Sequence, residues 1–131
     1  DSVYAVAYAA RVAQELGADV VKVNYPRVDE EKRPLYPKEY RDLQLAPKEM
    51  LEHVVAAAGR TLILMSGGSK RSDEQLLEDV RIALEAGVTG FIFGRNMWQR
   101  RFGEALEMAG KITKLTQAGG RISAAKAAAV I

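Results

Sequence analysis

Three short stretches of this 131-residue chain combine residue types that could do chemistry together. The first is Lys22, set inside the apolar run Val20-Val21-Lys22-Val23-Asn24 and followed by Tyr25-Pro26. A free lysine is almost wholly protonated at neutral pH; desolvation turns its amine into a nucleophile that can form a Schiff base with a carbonyl. So apolar a run predicts a buried lysine serving that chemistry. The competing reading is a lysine that snorkels from a strand end to water. The second stretch is Met65-Ser66-Gly67-Gly68-Ser69. Its glycines let backbone approach an oxyanion, and the amides of the loop and of a following helix would donate to it. The competing reading is an ordinary βα turn, where Ser and Gly are common. The third is Gly94-Arg95-Asn96, whose arginine fork suits a phosphate. A lone arginine at a strand end is more often a surface ion-pair partner, so the weight lies in the combination.

These stretches need elements to hold them. Apolar residues at helical spacing predict a helix over Val3–Leu16, stopped by Gly17. Val20–Tyr25 reads as a β-branched strand. Arg27–Pro47 is polar, contains three of the four prolines, and reads as a long surface loop. Pro47 then opens a helix through Lys48–Ala58. Thr61–Met65 is a second strand, and Ser72 with Gln75 forms the capping box of a helix ending at Gly87. Val88–Phe93 is a third strand, a helix covers about Arg101–Leu115, and Gly119-Gly120 is expected to hinge into a helical, alanine-rich tail over 119–131.

Strand–helix alternation implies a parallel sheet, because parallel strands need crossover connections. Near-continuous apolar strands predict a sheet covered on both faces. Two architectures fit, an open doubly wound sheet or part of a (β/α)8 barrel, and both place function at the carboxyl ends of the strands. All three stretches fall there. Along the first strand, alternation puts Val20, Lys22 and Asn24 on one face, which makes Asn24 a candidate substrate contact. Two consecutive glycine-bearing βα loops, one with an arginine, are how many (β/α)8 enzymes hold phosphate after strands seven and eight. Lys22 would then lie on strand six.

Composition narrows the classes. Nineteen basic residues against seventeen acidic leave +2, which gives no basis for a nucleic-acid partner or an anionic membrane. There is no cysteine, so disulfides and thiolate metal sites are excluded and a cytoplasmic setting is expected. No run reaches the ~18 apolar residues of a membrane span, and no secretory leader is evident. The start at Asp1 suggests an upstream part. His53, within the helix that presents Met50, Leu51, Val54 and Val55, reads as structural or solvated. Trp98 either packs the start of the last helix or borders the site. Asp29-Glu30-Glu31-Lys32-Arg33 reads as a solvated loop, and no pattern suggests a metal.

Taken in order, "GADVVKVNYP", "LILMSGGSK" and "EAGVTGFIFGRNMWQR" closely resemble the C-terminal half of the archaeal-type (DhnA-type) class I fructose-bisphosphate aldolases. The resemblance spans roughly residues 15–115. It implies a (β/α)8 barrel with residues 1–118 as its C-terminal part, and Lys22 as the Schiff-base lysine. It also implies that Ser66, Gly67, Gly68, Gly94 and Arg95 hold a substrate phosphate. No metal or other cofactor is implied, since the protonated imine is itself the electron sink. The implied reaction is reversible cleavage of fructose 1,6-bisphosphate to dihydroxyacetone phosphate and glyceraldehyde 3-phosphate, in glycolysis and gluconeogenesis, by a homo-oligomer. The loop over 27–47 is longer than in compact members. A complete barrel takes about 200–250 residues, and the family's acid–base groups lie on earlier strands, so the chain is expected to be a fragment. Two rivals share these motifs: a sister aldolase or transferase acting on another phosphorylated keto-sugar, of the aminodideoxyheptulosonate synthase or autoinducer-phosphate type, and a non-catalytic phosphate-binding module.

Overall fold

A computed structural model of the protein describes residues 1–128. Its strands are β1 (Val20–Asn24), β2 (Leu62–Ser66) and β3 (Gly90–Ile92). Its helices are α1 (Val3–Glu15), the single turn α2 (Lys38–Arg41), α3 (Pro47–Ala58), α4 (Asp73–Glu85), the single turn α5 (Arg95–Trp98) and α6 (Phe102–Ala128). Local chemistry accounts for the helix starts. The Ser2 hydroxyl accepts from the Ala5 amide at 3.2 Å and caps α1. Pro47 occupies the first turn of α3, where its missing N–H costs nothing, and the Glu49 carboxylate accepts from the Ala46 amide at 2.7 Å. At α4 the predicted capping box forms: Gln75 N donates to Ser72 Oγ at 3.3 Å and Ser72 N to Gln75 Oε1 at 3.4 Å.

The sheet is parallel in the order β1-β2-β3, with Lys22 opposite Leu64 opposite Gly90, and Asn24 opposite Ser66 opposite Ile92. Strands therefore follow one another in space as in sequence. The helices gather on one face, where Val6, Ala7 and Ala10 of α1, Leu51, Val54 and Ala58 of α3, and Ala83 of α4 enclose Val23, Ile63 and Met65. Each fully buried valine, leucine, isoleucine or methionine among them contributes about 1.5–3 kcal/mol. A doubly wound sheet reverses its strand order and carries helices on both faces. Among the described residues neither occurs, and the three βα units are those of a (β/α)8 barrel.

The opposite face is open, which corrects the expectation of a sheet covered twice. Val20, Leu62 and Ile92 are 47, 49 and 43% exposed. Lys22 and Asn24 are exposed as well. The strands carry apolar residues on both sides of the pleat, but the described residues put helices on only one of them.

Three other readings are corrected. The stretch 27–47 is not a plain loop: it holds a 3-10 turn at Arg33–Leu35 and the turn α2. Tyr40 anchors it, with its ring 5.1 Å from that of Tyr4 and its hydroxyl 2.9 Å from Nε2 of His53, which gives His53 a structural contact. The third strand is shorter than predicted, because the chain turns at Gly94 into α5. Finally, α6 passes through Gly119-Gly120 without a hinge. A Cβ on Gly119 would stand 3.1 Å from Cβ of Leu84, so this glycine lets α6 lie close against α4. The expected tail is helical to Ala128; its last three positions lie outside the described residues. Among the described residues no helix is long and apolar enough to cross a membrane.

An apolar sheet face flanked by two outer strands favours association. Residues 1–131 expressed alone should therefore give light-scattering masses above the 14.4 kDa of one chain. A monodisperse monomer would contradict that expectation.

Candidate active site

Parallel register brings the three chemical stretches to one end of the open face. Lys22, Asn24, Ser66, Gly67, Gly68, Gly94 and Arg95 all line a single cleft of about 590 Å³ beyond the strand ends. Lys22 shares its row with Leu64 and with Gly90, which has no side chain to crowd it. The next row on that face is Asn24, Ser66 and Ile92, two residues and about 7 Å further along the strands. Lysine's four-carbon stem can reach that distance. Asn24 donates from Nδ2 to the Asp1 carboxylate at 3.1 Å.

Lys22 is exposed, contrary to the burial read from its apolar neighbours. Val21 and Val23 point into the helix-covered core, whereas the pleat sends Lys22 to the open side. Its neighbours along the chain thus say little about its surroundings.

The glycine loop after β2 is shaped by contacts from the third strand. The Gly67 amide donates to the Ile92 carbonyl at 3.1 Å, extending the β2–β3 pairing. A Cβ at Gly67 would stand only 2.2 Å from Cδ1 of Phe93, so no other residue fits there without displacing that ring. Gly68 adopts φ +60°. Beside it, Gly94 passes under Trp98, whose ring would lie 2.7 Å from a Cβ at that position. Trp98 is 74% exposed and lines the cleft, which places it at the border of the site.

Asn96 ties the two loops together, a role that the sequence reading did not assign. It is completely buried. Its Nδ2 donates to the carbonyls of Gly67 at 2.9 Å and Ser69 at 3.1 Å, and its Oδ1 accepts from the Arg71 amide at 2.9 Å. Every hydrogen-bonding direction of the carboxamide but one is used. The Arg100 guanidinium, itself largely buried, donates to the Asn96 carbonyl at 2.7 Å and pairs with Asp73 at the start of α4. The only hint in the sequence was an amide side chain directly behind the arginine of "GRN".

Charge in the cleft is positive. Lys22, Arg27, Arg71 and Arg95 line it, against the single carboxylate of Asp1. Arg71 is neutralised by Asp79 at 3.1 Å. Burial, and then the Asp79 charge, push the Tyr25 phenol well above its ordinary range; its hydroxyl donates to the Asp79 carbonyl at 2.9 Å. Burial also pushes the Asp79 carboxyl up, against the pull of Arg71. A primary amine facing the cleft, with glycine-loop amides and an arginine at its mouth, can attack a carbonyl whose neighbouring phosphate is held in place.

The sequence profile of the DeoC/LacD family aldolases matches residues 3–100. The chain is 43% identical over 95 residues to the class 1 fructose-bisphosphate aldolase of Halobacterium salinarum, covering 72% of this chain and 29% of that protein. It is 38% identical over 119 residues to the class 1 fructose-bisphosphate aldolase of Thermoproteus tenax, covering 90% of this chain and 37% of that protein. A solved archaeal fructose-1,6-bisphosphate aldolase, with its catalytic lysine covalently bound to the carbinolamine intermediate, superposes with a TM-score of 0.66 at 35% identity, over 88% of this chain and 38% of the other. The chain thus spans about a third of the length of the curated relatives it matches.

Removing the Asn96 carboxamide should loosen both loops. Asn96→Ala in the full-length protein should cost about 1–3 kcal/mol of stability in denaturant unfolding, since buried partners lose their bonds. Asn96→Asp should lose stability too, because a carboxylate cannot donate to the Gly67 and Ser69 carbonyls. Exposed Arg95→Ala should stay within about 0.5 kcal/mol. Equal behaviour of the Asn96 and Arg95 variants would refute this role.

Proposed function

As the chain belongs to the DeoC/LacD family of aldolases, we propose that it forms the lysine-bearing part of a class I fructose-bisphosphate aldolase. The observation that carries this reading is the register that sets Lys22 and the Ser66–Gly68 loop on one face of one cleft. The relatives named class 1 fructose-bisphosphate aldolase support the choice of substrate. In this reading residues 1–118 act within a complete barrel, whose remaining strands cover the open face and make the surroundings of Lys22 drier.

The neutral Lys22 amine attacks C2 of the open-chain keto-sugar, and loss of water from the carbinolamine gives a protonated imine. A base outside this segment removes the C4 hydroxyl proton. The C3–C4 bond then breaks, its electron pair flowing to the iminium to form an enamine, and glyceraldehyde 3-phosphate leaves. Protonation at C3 and hydrolysis of the imine release dihydroxyacetone phosphate and restore Lys22. The cationic imine is the electron sink, so the step runs without a Lewis acid. The Ser66 hydroxyl, the Gly68 and Gly94 amides and the Arg95 fork hold the phosphate nearest the imine carbon, with Gly67 allowing its close approach to the backbone, and so place C2 against the amine. Asn24 borders the same carbon chain. The reaction serves glycolysis in one direction and gluconeogenesis in the other.

Two tests follow. Full-length Lys22→Ala should lose borohydride trapping of dihydroxyacetone phosphate and nearly all cleavage. Lys22→Arg should fail as well, because a guanidinium stays protonated. Near-normal turnover in either variant would defeat the assignment. Arg95→Ala should weaken binding of phosphorylated substrate by about 1.5–3 kcal/mol, the scale of hydrogen bonds to a charged group. Binding of an unphosphorylated keto-sugar should change far less; equal losses for the two would give Arg95 another role.

A further inference from the structure

We infer that Asn24, held in place by Asp1, reads the hydroxyl on C3, the carbon on the far side of the imine carbon from the phosphate. This rests on the aldolase reading above and adds to it what Asn24 contacts and which residue orients it. Asp1 is the single carboxylate in a cleft lined by cations, yet among the described residues its side chain forms no ion pair. Its Oδ1 instead accepts from Asn24 Nδ2 at 3.1 Å. Asp1 is itself fixed through its backbone: its carbonyl accepts from the Arg27 amide at 2.7 Å, and Ser2 bridges Arg27 in parallel. The acid therefore stands at the end of β1, on the edge away from β2, where a groove lined by Asp1, Ala5, Ala9, Lys22 and Asn24 runs.

Hydrogen-bond chemistry fixes which way the carboxamide faces. An ionised carboxylate only accepts, so Asn24 must offer it the NH2 group, and the planar amide then carries Oδ1 on its other side. Reversing the amide would set two oxygens against each other. Among the described residues that Oδ1 has no other partner. Asn24 thus presents an acceptor to the cleft it lines. The order of the strands says what meets it. At the level reached by the Lys22 amine, Asn24 on β1 stands opposite Ser66 on β2, and Gly94 and Arg95 lie beyond on the β3 side. A ketone bound at that amine has two arms. One carries the phosphate toward Ser66, Gly68 and Arg95, so the other runs to the β1 side, where its C3 hydroxyl can donate to Oδ1 of Asn24. An amide that is already turned loses no orientational freedom when the hydroxyl arrives.

The test measures borohydride trapping of two ketones in full-length wild type and in Asn24→Ala, Asp1→Ala and Asp1→Asn. One is dihydroxyacetone phosphate; the other is hydroxyacetone phosphate, identical except that C3 lacks its hydroxyl. Trapping rates are compared well below saturation, and the ratio of the two within one protein does not depend on how much of it is folded. Wild type should favour dihydroxyacetone phosphate about tenfold, the scale of one hydrogen bond to a group left unpaired by the analogue. Asn24→Ala should remove that preference. Asp1→Ala should reduce it by about threefold or more, because the carboxamide is then free to turn. Asp1→Asn should recover part of it, since an amide oxygen still accepts from Asn24. A wild type that traps both ketones equally well, or variants that slow both by the same factor, would overturn the assignment. Wild-type protein that traps neither ketone would instead sink the aldolase reading, and this role of Asn24 with it, before any variant is compared.

Discussion

The alternation of side chains across a parallel sheet governs everything else in this molecule. With β1, β2 and β3 in consecutive register, odd and even positions part cleanly: Val21, Val23, Ile63 and Met65 go under the helices, while Lys22, Asn24, Leu64 and Ser66 go to the other side. A slip of one residue in β1 would bury an ammonium among alanines and leucines and lift two valines into water. The energy that fixes the core therefore also fixes where the amine points. No contact made by Lys22 itself is needed to orient it.

Above the sheet, precision passes from strands to loops, which are ordinarily the less constrained part of a βα unit. Here they are held by a buried carboxamide and a close-packed ring. Asn96 bonds to three backbone groups of the preceding loop, and Arg100 ties the backbone of Asn96 to the start of α4. The segment that presents amides to the cleft is thus as well anchored as the core below it. Preorganised donors of this kind need no rearrangement when an anion arrives.

Much of this was legible from residue order. Helix starts at Pro47 and Ser72 follow from local chemistry, and the alternation of strands with helices dictates a parallel sheet. The placement of Lys22, the glycine loop and Arg95 at the strand ends follows from the same order. Burial of Lys22 was misread because β-branched neighbours report on their own face of the pleat, not on hers across it. Asn96 went unassigned because its partners are 25 to 29 residues away, where only folding brings them together. The pair Gly119-Gly120 suggested a break, yet close approach to Leu84 explains Gly119 equally well, and the packing of α6 on α4 decides between the two.

The contact between Gly67 and Phe93 constrains how this site can change over time. Phe93 stacks on Phe91, with ring centres 5.4 Å apart, so it has little freedom to move aside. A side chain can enter position 67 only after the ring at position 93 has shrunk, whereas Phe93 can be trimmed while Gly67 is still glycine. The two positions are therefore epistatic and ordered: one sequence of substitutions passes through a folded intermediate, and the reverse sequence passes through a clash. Lineages that diversify this loop must travel by way of position 93.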